Sequence, residues 1–161
     1  MANVDEHEKE KFNSKSLDWW DKNGPLKTLH DINPCRLRYI KRHLELNNAS
    51  VCDIGCGGGI LSSELAREGS HVTAIDAAPK LIEVAKLYAT EHNLDIEYKV
   101  DISSNLVKTR SNSFDLVTCM ELIEHVPEPA ALVEDCAKLL APGGVLIIST
   151  LNRNLISYTL G

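Results

Sequence analysis

Apolar residues follow two rhythms along this chain. Near the start, a helical pattern runs through Phe12, Leu17 and Trp20 until Gly24-Pro25 breaks it. Asn33-Pro34 reads as an N-cap followed by proline at the first helical position. Leu37, Ile40 and Leu44 then recur at spacings of three and four, and Asn47-Asn48 closes that helix. From residue 51 the rhythm shortens. Apolar runs at 51–54, 72–75, 96–100, 114–119 and 145–149 predict five strands. Helical spacing returns at Ile60, Leu61, Leu65 and Ala66, at Ile82, Ala85 and Ala89 behind Pro79, and over 127–140 before Pro142-Gly143-Gly144.

Strands alternating with helices at this spacing build βαβ units, and right-handed crossovers make the sheet mostly parallel and doubly wound, with helices on both faces. The fifth run is apolar throughout rather than alternating, as a strand covered on both faces should be. Two segments are expected: an N-terminal helical segment over 1–47 and a Rossmann-like α/β domain over 48–161. Such sheets bind ligands beyond the carboxyl ends of their strands. Residues 55–59, Asp76, Asp101 and 119–121 all fall at those ends, so four consecutive strand tips point at one crevice.

With 161 residues the chain is long enough for one domain with its own core. Its 43% hydrophobic and 25% charged residues are those of a globular protein. No apolar run reaches the roughly 20 residues that cross a bilayer. The N-terminus is polar and acidic, unlike a signal peptide or an Arg-rich presequence, so the protein either stays where it is made or has lost a targeting segment. A formal charge of −6 argues against nucleic acid as a partner. The five cysteines form no CxxC pair and mostly lie in apolar stretches, which reads as reduced, intracellular thiols.

Glycines over 55–59 permit a tight strand-to-helix turn and close ligand approach. Asp76 stands 21 residues after Gly55, where a carboxylate can accept from both hydroxyls of a ribose; the plainer role is to cap the next helix. A dinucleotide fingerprint would place a sixth-position glycine where Ile60 stands, which weakens a nicotinamide dehydrogenase reading. Asp53-Ile54-Gly55-Cys56-Gly57-Gly58-Gly59 instead resembles the first motif of class I S-adenosylmethionine-dependent methyltransferases. Asp101-Ile102, Phe114-Asp115-Leu116-Val117 and Leu140-Ala141-Pro142-Gly143-Gly144 resemble later motifs of that class. The resemblance implies S-adenosyl-L-methionine as cofactor. Gly55 and Gly57 would admit it, Asp53 would either orient the loop or meet its ammonium group, and Asp101 or Ile102 would flank its adenine.

More specific stretches narrow the resemblance. Trp19-Trp20-Asp21, Leu29-His30-Asp31-Ile32-Asn33-Pro34 with Arg36, the run from Thr118 through Met120 to Val126, and Ser149-Thr150-Leu151-Asn152-Arg153-Asn154 are similar to ubiquinone-biosynthesis O-methyltransferases, from about Val4 to Gly161. That family methylates phenolic hydroxyls on polyprenyl catechol-type rings. Carried over by position, Arg36, Gly55, Asp76 and Met120 would contact the cofactor, Arg36 reaching its carboxylate. Trp19 and Trp20 read as core anchors ahead of substrate stackers, and His30 is a functional candidate outside the crevice motifs. The family also implies a polyprenyl phenol or quinol substrate and other ubiquinone-biosynthesis proteins as partners. It further implies a peripheral membrane surface, at the bacterial inner membrane or on the matrix side of the mitochondrial one. Family members continue beyond the fifth strand, so domain 48–161 is expected to be incomplete and its last strand to form a sheet edge prone to self-association.

A phenol near pKa ~10 holds its proton at neutral pH, so an O-methyltransferase must remove or weaken it. Glu121, Glu124 and His125 are spaced i, i+3 and i+4, one face of a helical turn. Three readings stay open. The residues form a Mg2+-type site, as the family implies, with Zn2+ open through the histidine; or His125, with Glu121, is the metal-free acid–base group; or the run is structural. Two further functional readings are a methyltransferase for another small aromatic, and a non-catalytic cofactor-binding or scaffold fragment.

Overall fold

The computed structural model describes residues 3–14 and 16–150, without the side chain of Leu17; the Leu151-Asn152-Arg153-Asn154 stretch read above lies outside them. The helices are α1 (Glu6–Ser14), α2 (Lys27–Ile40), α3 (Ile60–Arg67), α4 (Pro79–Glu91), α5 (Ser103–Arg110) and α6 (Pro129–Leu139). The strands are β1 (Ser50–Ile54), β2 (His71–Asp76), β3 (Ile96–Val100), β4 (Phe114–Met120) and β5 (Leu140–Ser149). All strand pairs are parallel, in the order β3-β2-β1-β4-β5. The expected doubly wound α/β sheet is therefore present, and its order reverses between β1 and β4, where such sheets open a binding crevice.

Side-chain alternation divides the core into two layers. Val51 of β1 and Leu116 of β4 pack with Leu65 of α3 and Ile82 and Ala85 of α4. Cys52, Ile54, Val117 and Cys119 face the other way, against Leu106 of α5 and Leu132, Cys136 and Leu139 of α6. All five thiols are free, and four are buried; Cys35 alone is exposed. Among the described residues no helix is long and apolar enough to cross a membrane, and β5 is the sheet edge on its side.

Three local expectations are corrected, and one helix had no counterpart among them. The first helix stops at Ser14, short of Trp20, and a 3-10 turn over Ser16–Asp18 follows. Asn33-Pro34 does not start a helix: α2 begins at Lys27 and carries Pro34 inside it. Asn33 caps nothing, because its side chain is buried and donates to the carbonyl of Ile60 at 3.3 Å. A proline inside a helix costs about 3 kcal/mol, so tertiary packing of α2 on α3 outweighs the local signal. Helix α5 was not legible; its only buried residues are Ser103 and Leu106, too few for an apolar stripe. Finally, Pro142-Gly143-Gly144 is not a separate terminator. Strand β5 starts at Leu140, and a register shift opposite Phe114 and Leu116 absorbs residues 141–144, with Gly143 at φ +83°.

Candidate functional site

A cavity of about 450 Å³ opens at the carboxyl ends of β1, β2 and β4, within the size range of small-molecule sites. It is lined by the cofactor, catalytic and metal candidates that the sequence suggested, Arg36, Asp53, Gly55, Gly57, Asp76, Asp101, Ile102, Met120, Glu121, Glu124 and His125, but not by His30. The N-terminal segment forms its opposite wall through Phe12, Leu26, Leu29 and Ile32.

The loop after β1 is held from within. Gly55 and Cys56 donate to the carbonyl of Ile75, Gly57 donates to Asp76 Oδ2 at 2.9 Å, and Gly59 donates to Cys56. Four of its five amides are thus spent, which is unsuited to cradling a pyrophosphate. The glycines admit the protein's own side chains as well as a ligand. A Cβ at Gly58 would sit 2.2 Å from Trp19 Cδ1, and one at Gly59 would sit 2.2 Å from the Tyr98 hydroxyl. Trp19 is 6% exposed, and Trp20 donates from Nε1 to the carbonyl of Gly58. Trp20 also stacks on Tyr88, with ring centroids 3.3 Å apart. Both indoles are anchors. His30 binds the carbonyl of Trp19 through Nε2 at 2.9 Å, a contact that fixes this anchor.

Asp53 is 2% exposed and accepts from Ser62 at 2.6 Å and Thr118 at 2.8 Å, tying α3 to β4 under the loop. Burial raises its pKa, against those two hydrogen bonds and the Arg36 charge. Asp76 accepts from the amides of Gly57 and Ala78, so it fastens the loop after β1 to the turn that leads into α4, whose start has no side-chain cap of its own. Burial raises its pKa too, and the backbone donors oppose the shift. Its two oxygens keep lone pairs beyond the one each spends. Asp101 accepts from its neighbour Ile102 and from Asn105.

Beyond β4 the chain turns sharply. Glu121 takes φ +52° and a 3-10 turn covers Ile123–His125, so Glu121, Glu124 and His125 do not share one helical face. Each has its own partner. Glu121 Oε1 pairs with Arg36 Nη2 at 3.1 Å and accepts from Ser149 at 2.6 Å. Glu124 accepts from Thr150 at 2.9 Å, and His125 Nδ1 lies 2.8 Å from Glu8 Oε2. Among the described residues, no three His, Cys, Asp or Glu side chains are gathered to hold a metal ion. As arranged, the triplet does not fit Mg2+ or Zn2+.

Among the described residues six buried side-chain polar atoms lack partners, and three belong to residues that line the cavity: Trp19 Nε1, Arg36 Nε and Glu121 Oε2, the last two from one ion pair in its wall. A buried donor and acceptor left unpaired cost on the order of 1–3 kcal/mol each, and a ligand carrying one anionic and one cationic group would satisfy both. The sequence missed Glu8, Phe12 and Tyr98 as site neighbours. Only Phe12 carried any signal, as a lone apolar residue in a charged helix.

Residues 52–148 match the family described as methyltransferase domain. The chain belongs to that family. The chain is 48% identical over 158 residues to the ubiquinone biosynthesis O-methyltransferase of Xylella fastidiosa strain M23, covering 98% of the chain and 64% of the relative. It is also 48% identical to the protein of that name from Xanthomonas euvesicatoria pv. vesicatoria strain 85-10, covering 99% of the chain and 66% of the relative. The chain thus spans slightly less than two thirds of the length of these curated relatives. Its fold superposes with TM-score 0.74 on magnesium protoporphyrin IX methyltransferase from Synechocystis PCC 6803, solved with bound SAM. That match has 24% identity and covers 91% of this chain and 76% of the other.

Proposed function

We propose that this domain binds S-adenosyl-L-methionine and serves O-methylation of phenolic hydroxyls on polyprenyl catechol-type precursors of ubiquinone. The observation that carries the cofactor reading is the Arg36–Glu121 ion pair in the cavity wall, in which each side chain keeps one buried polar atom unpartnered. Arg36 Nε suits the carboxylate of an amino acid and Glu121 Oε2 suits its ammonium group. Asp76 suits the ribose hydroxyls through its remaining lone pairs, and Asp101, Ile102 and Met120, which line the same cavity, suit the adenine and thioether. Asp53, enclosed by Ser62 and Thr118, orients the loop and does not meet the ligand's ammonium group. The substrate class rests on the 48% identity to proteins of that name, and the apolar wall of Phe12, Leu26, Leu29 and Ile32 suits a hydrocarbon substituent.

When bound, S-adenosylmethionine supplies a methyl group on an electrophilic sulfonium. The chain's own residues must then align the acceptor and take up its proton. His125 is the base: its ring lines the cavity, and its Nδ1 is already engaged. Glu121 holds Arg36 in place and completes the amino-acid site. A divalent ion at Glu121, Glu124 and His125 would have to displace the partners these side chains already hold. In the cell, the substrate's polyprenyl tail places the reaction at a membrane surface, the bacterial inner membrane or the matrix face of the mitochondrial one. Other enzymes of the same pathway are the expected neighbours.

Calorimetry with S-adenosylmethionine, S-adenosylhomocysteine and NADH tests the cofactor. Mass spectrometry of a polyprenyl catechol incubated with the chain and S-adenosylmethionine tests the reaction. Binding of NADH in place of the sulfonium ligand overturns the reading. Cofactor binding with no methyl transfer leaves a binding domain and refutes catalysis by this chain.

A further inference from the structure

The N-terminal helix meets the proposed base on two sides. Glu8 Oε2 lies 2.8 Å from His125 Nδ1, and Phe12, one turn further along α1, sets its ring edge-on to the imidazole at 5.2 Å and 88°. The chain just before α1 is fastened to the stretch just beyond His125. Asn3 Nδ2 donates to the Glu128 carbonyl and the Glu128 amide donates to Asn3 Oδ1, each at 2.8 Å. Glu8, Phe12 and His125 all line the cavity. The Glu8 and His125 side chains are only 23% and 25% exposed, so their pair is partly shielded from water.

A neutral imidazole carries one N–H and one lone pair, and the hydrogen bond made by one nitrogen decides the role of the other. The carboxylate of Glu8 only accepts, so it holds the ring proton on Nδ1. Within the methyl-transfer reading above, on which this inference rests, the geometry points to Glu8 as the positioning residue that makes His125 Nε2 the base. Nε2 takes the phenolic proton as the oxygen forms its bond to the methyl carbon. The carbon–sulfur bond breaks with its electron pair left on sulfur. The resulting imidazolium stays paired with Glu8 until its proton passes to solvent. A carboxylate behind a histidine that neither touches substrate nor takes the proton acts by fixing tautomer and stabilising charge. A merely structural latch between α1 and the 3-10 turn would do neither.

The test labels the six histidines of the chain with 15N and identifies the His125 signals by their loss in His125→Gln. The expected neutral ring has its proton on Nδ1 and a pyridine-type Nε2. Glu8→Ala should shift the proton toward Nε2, whereas Glu8→Gln, whose amide oxygen still accepts, should keep it on Nδ1. In methyl transfer to an alkyl catechol, Glu8→Gln should lower kcat about tenfold and Glu8→Ala about a hundredfold, with KM for both substrates within about twofold. If Glu8→Ala does not fold, Glu8→Gln carries the kinetic comparison. A proton on Nε2 in the unmodified chain overturns the inference, as does a tautomer unchanged in Glu8→Ala. So does a loss expressed in KM with kcat intact, the sign of a latch. A chain that neither binds S-adenosylmethionine nor transfers methyl refutes the functional reading alone, and the role of Glu8 is then decided by the tautomer.

Discussion

Arg36 Nη2 and Glu121 Oε1 meet 3.1 Å apart although 85 residues separate them in the chain. The pair joins the N-terminal helical segment to the tip of β4, and one further polar atom of each side chain, Arg36 Nε and Glu121 Oε2, is buried and unpaired in the cavity wall. Arg36→Ala should therefore weaken S-adenosylmethionine binding by about 1.5–3 kcal/mol, the worth of a hydrogen bond to a charged group. 5′-Methylthioadenosine lacks the amino-acid end and should bind the variant as it binds the unmodified chain. Calorimetry with the two ligands separates lost recognition from a disturbed fold; equal losses for both would refute the amino-acid role.

Asp76 acts on the other half of the ligand. Asp76→Ala removes the acceptor for Gly57 and Ala78 together with the proposed ribose contact. S-adenosylmethionine and 5′-methylthioadenosine should both lose on the order of 2–3 kcal/mol. A variant that melts cooperatively yet binds either ligand normally would remove Asp76 from the site.

These two residues also show how far the sequence could be read. Asp76 was legible because glycine turn, strand and acidic tip lie in one βαβ unit at a fixed separation. The pairing of Arg36 with Glu121, like that of Glu8 with His125, was not, because nothing local records which distant elements meet. Pro34 misled for the opposite reason: its local rule is strong, yet packing of α2 over Ile60 overrides it. Helix α5 escaped notice because its burial rests on Ser103 and Leu106 alone. The spacing of Glu121, Glu124 and His125 suggested one helical face, and the positive φ of Glu121 breaks that face at its first residue.

Gly58 is not among the positive-φ glycines, and the three atoms nearest to an added Cβ there all belong to the indole of Trp19. Gly58→Ala should destabilise the fold by about 1–3 kcal/mol. In a Trp19→Ala background most of that penalty should vanish. A double-mutant cycle from denaturant melts reads the coupling, and an additive result would mean that the loop itself, rather than Trp19, rejects the methyl group.

Asp53 sets a pH dependence of known sign. Burial raises its pKa above the ordinary 3.8, so the folded chain holds a proton that the unfolded chain releases. Between 3.8 and the raised value the unfolded state binds fewer protons, and stability falls as pH rises through that window. Asp53→Asn cannot ionise and should lack this component. The stability of the unmodified chain relative to Asp53→Asn should therefore decline with rising pH from about 4 upward, measured by urea melts at a series of pH values. A difference that grows with pH would show that Ser62, Thr118 and Arg36 outweigh burial.

Trp19 and Trp20 are the only two tryptophans in the sequence, and both lean on the same loop, one across Gly58 and the other through the Gly58 carbonyl. All indole emission from this chain thus arises within a few ångströms of the cavity wall at Gly57. Occupancy of that wall should change the intensity or colour of the fluorescence with no dye attached. Disturbance confined to α5 and α6, on the far face of the sheet, should leave the same signal silent.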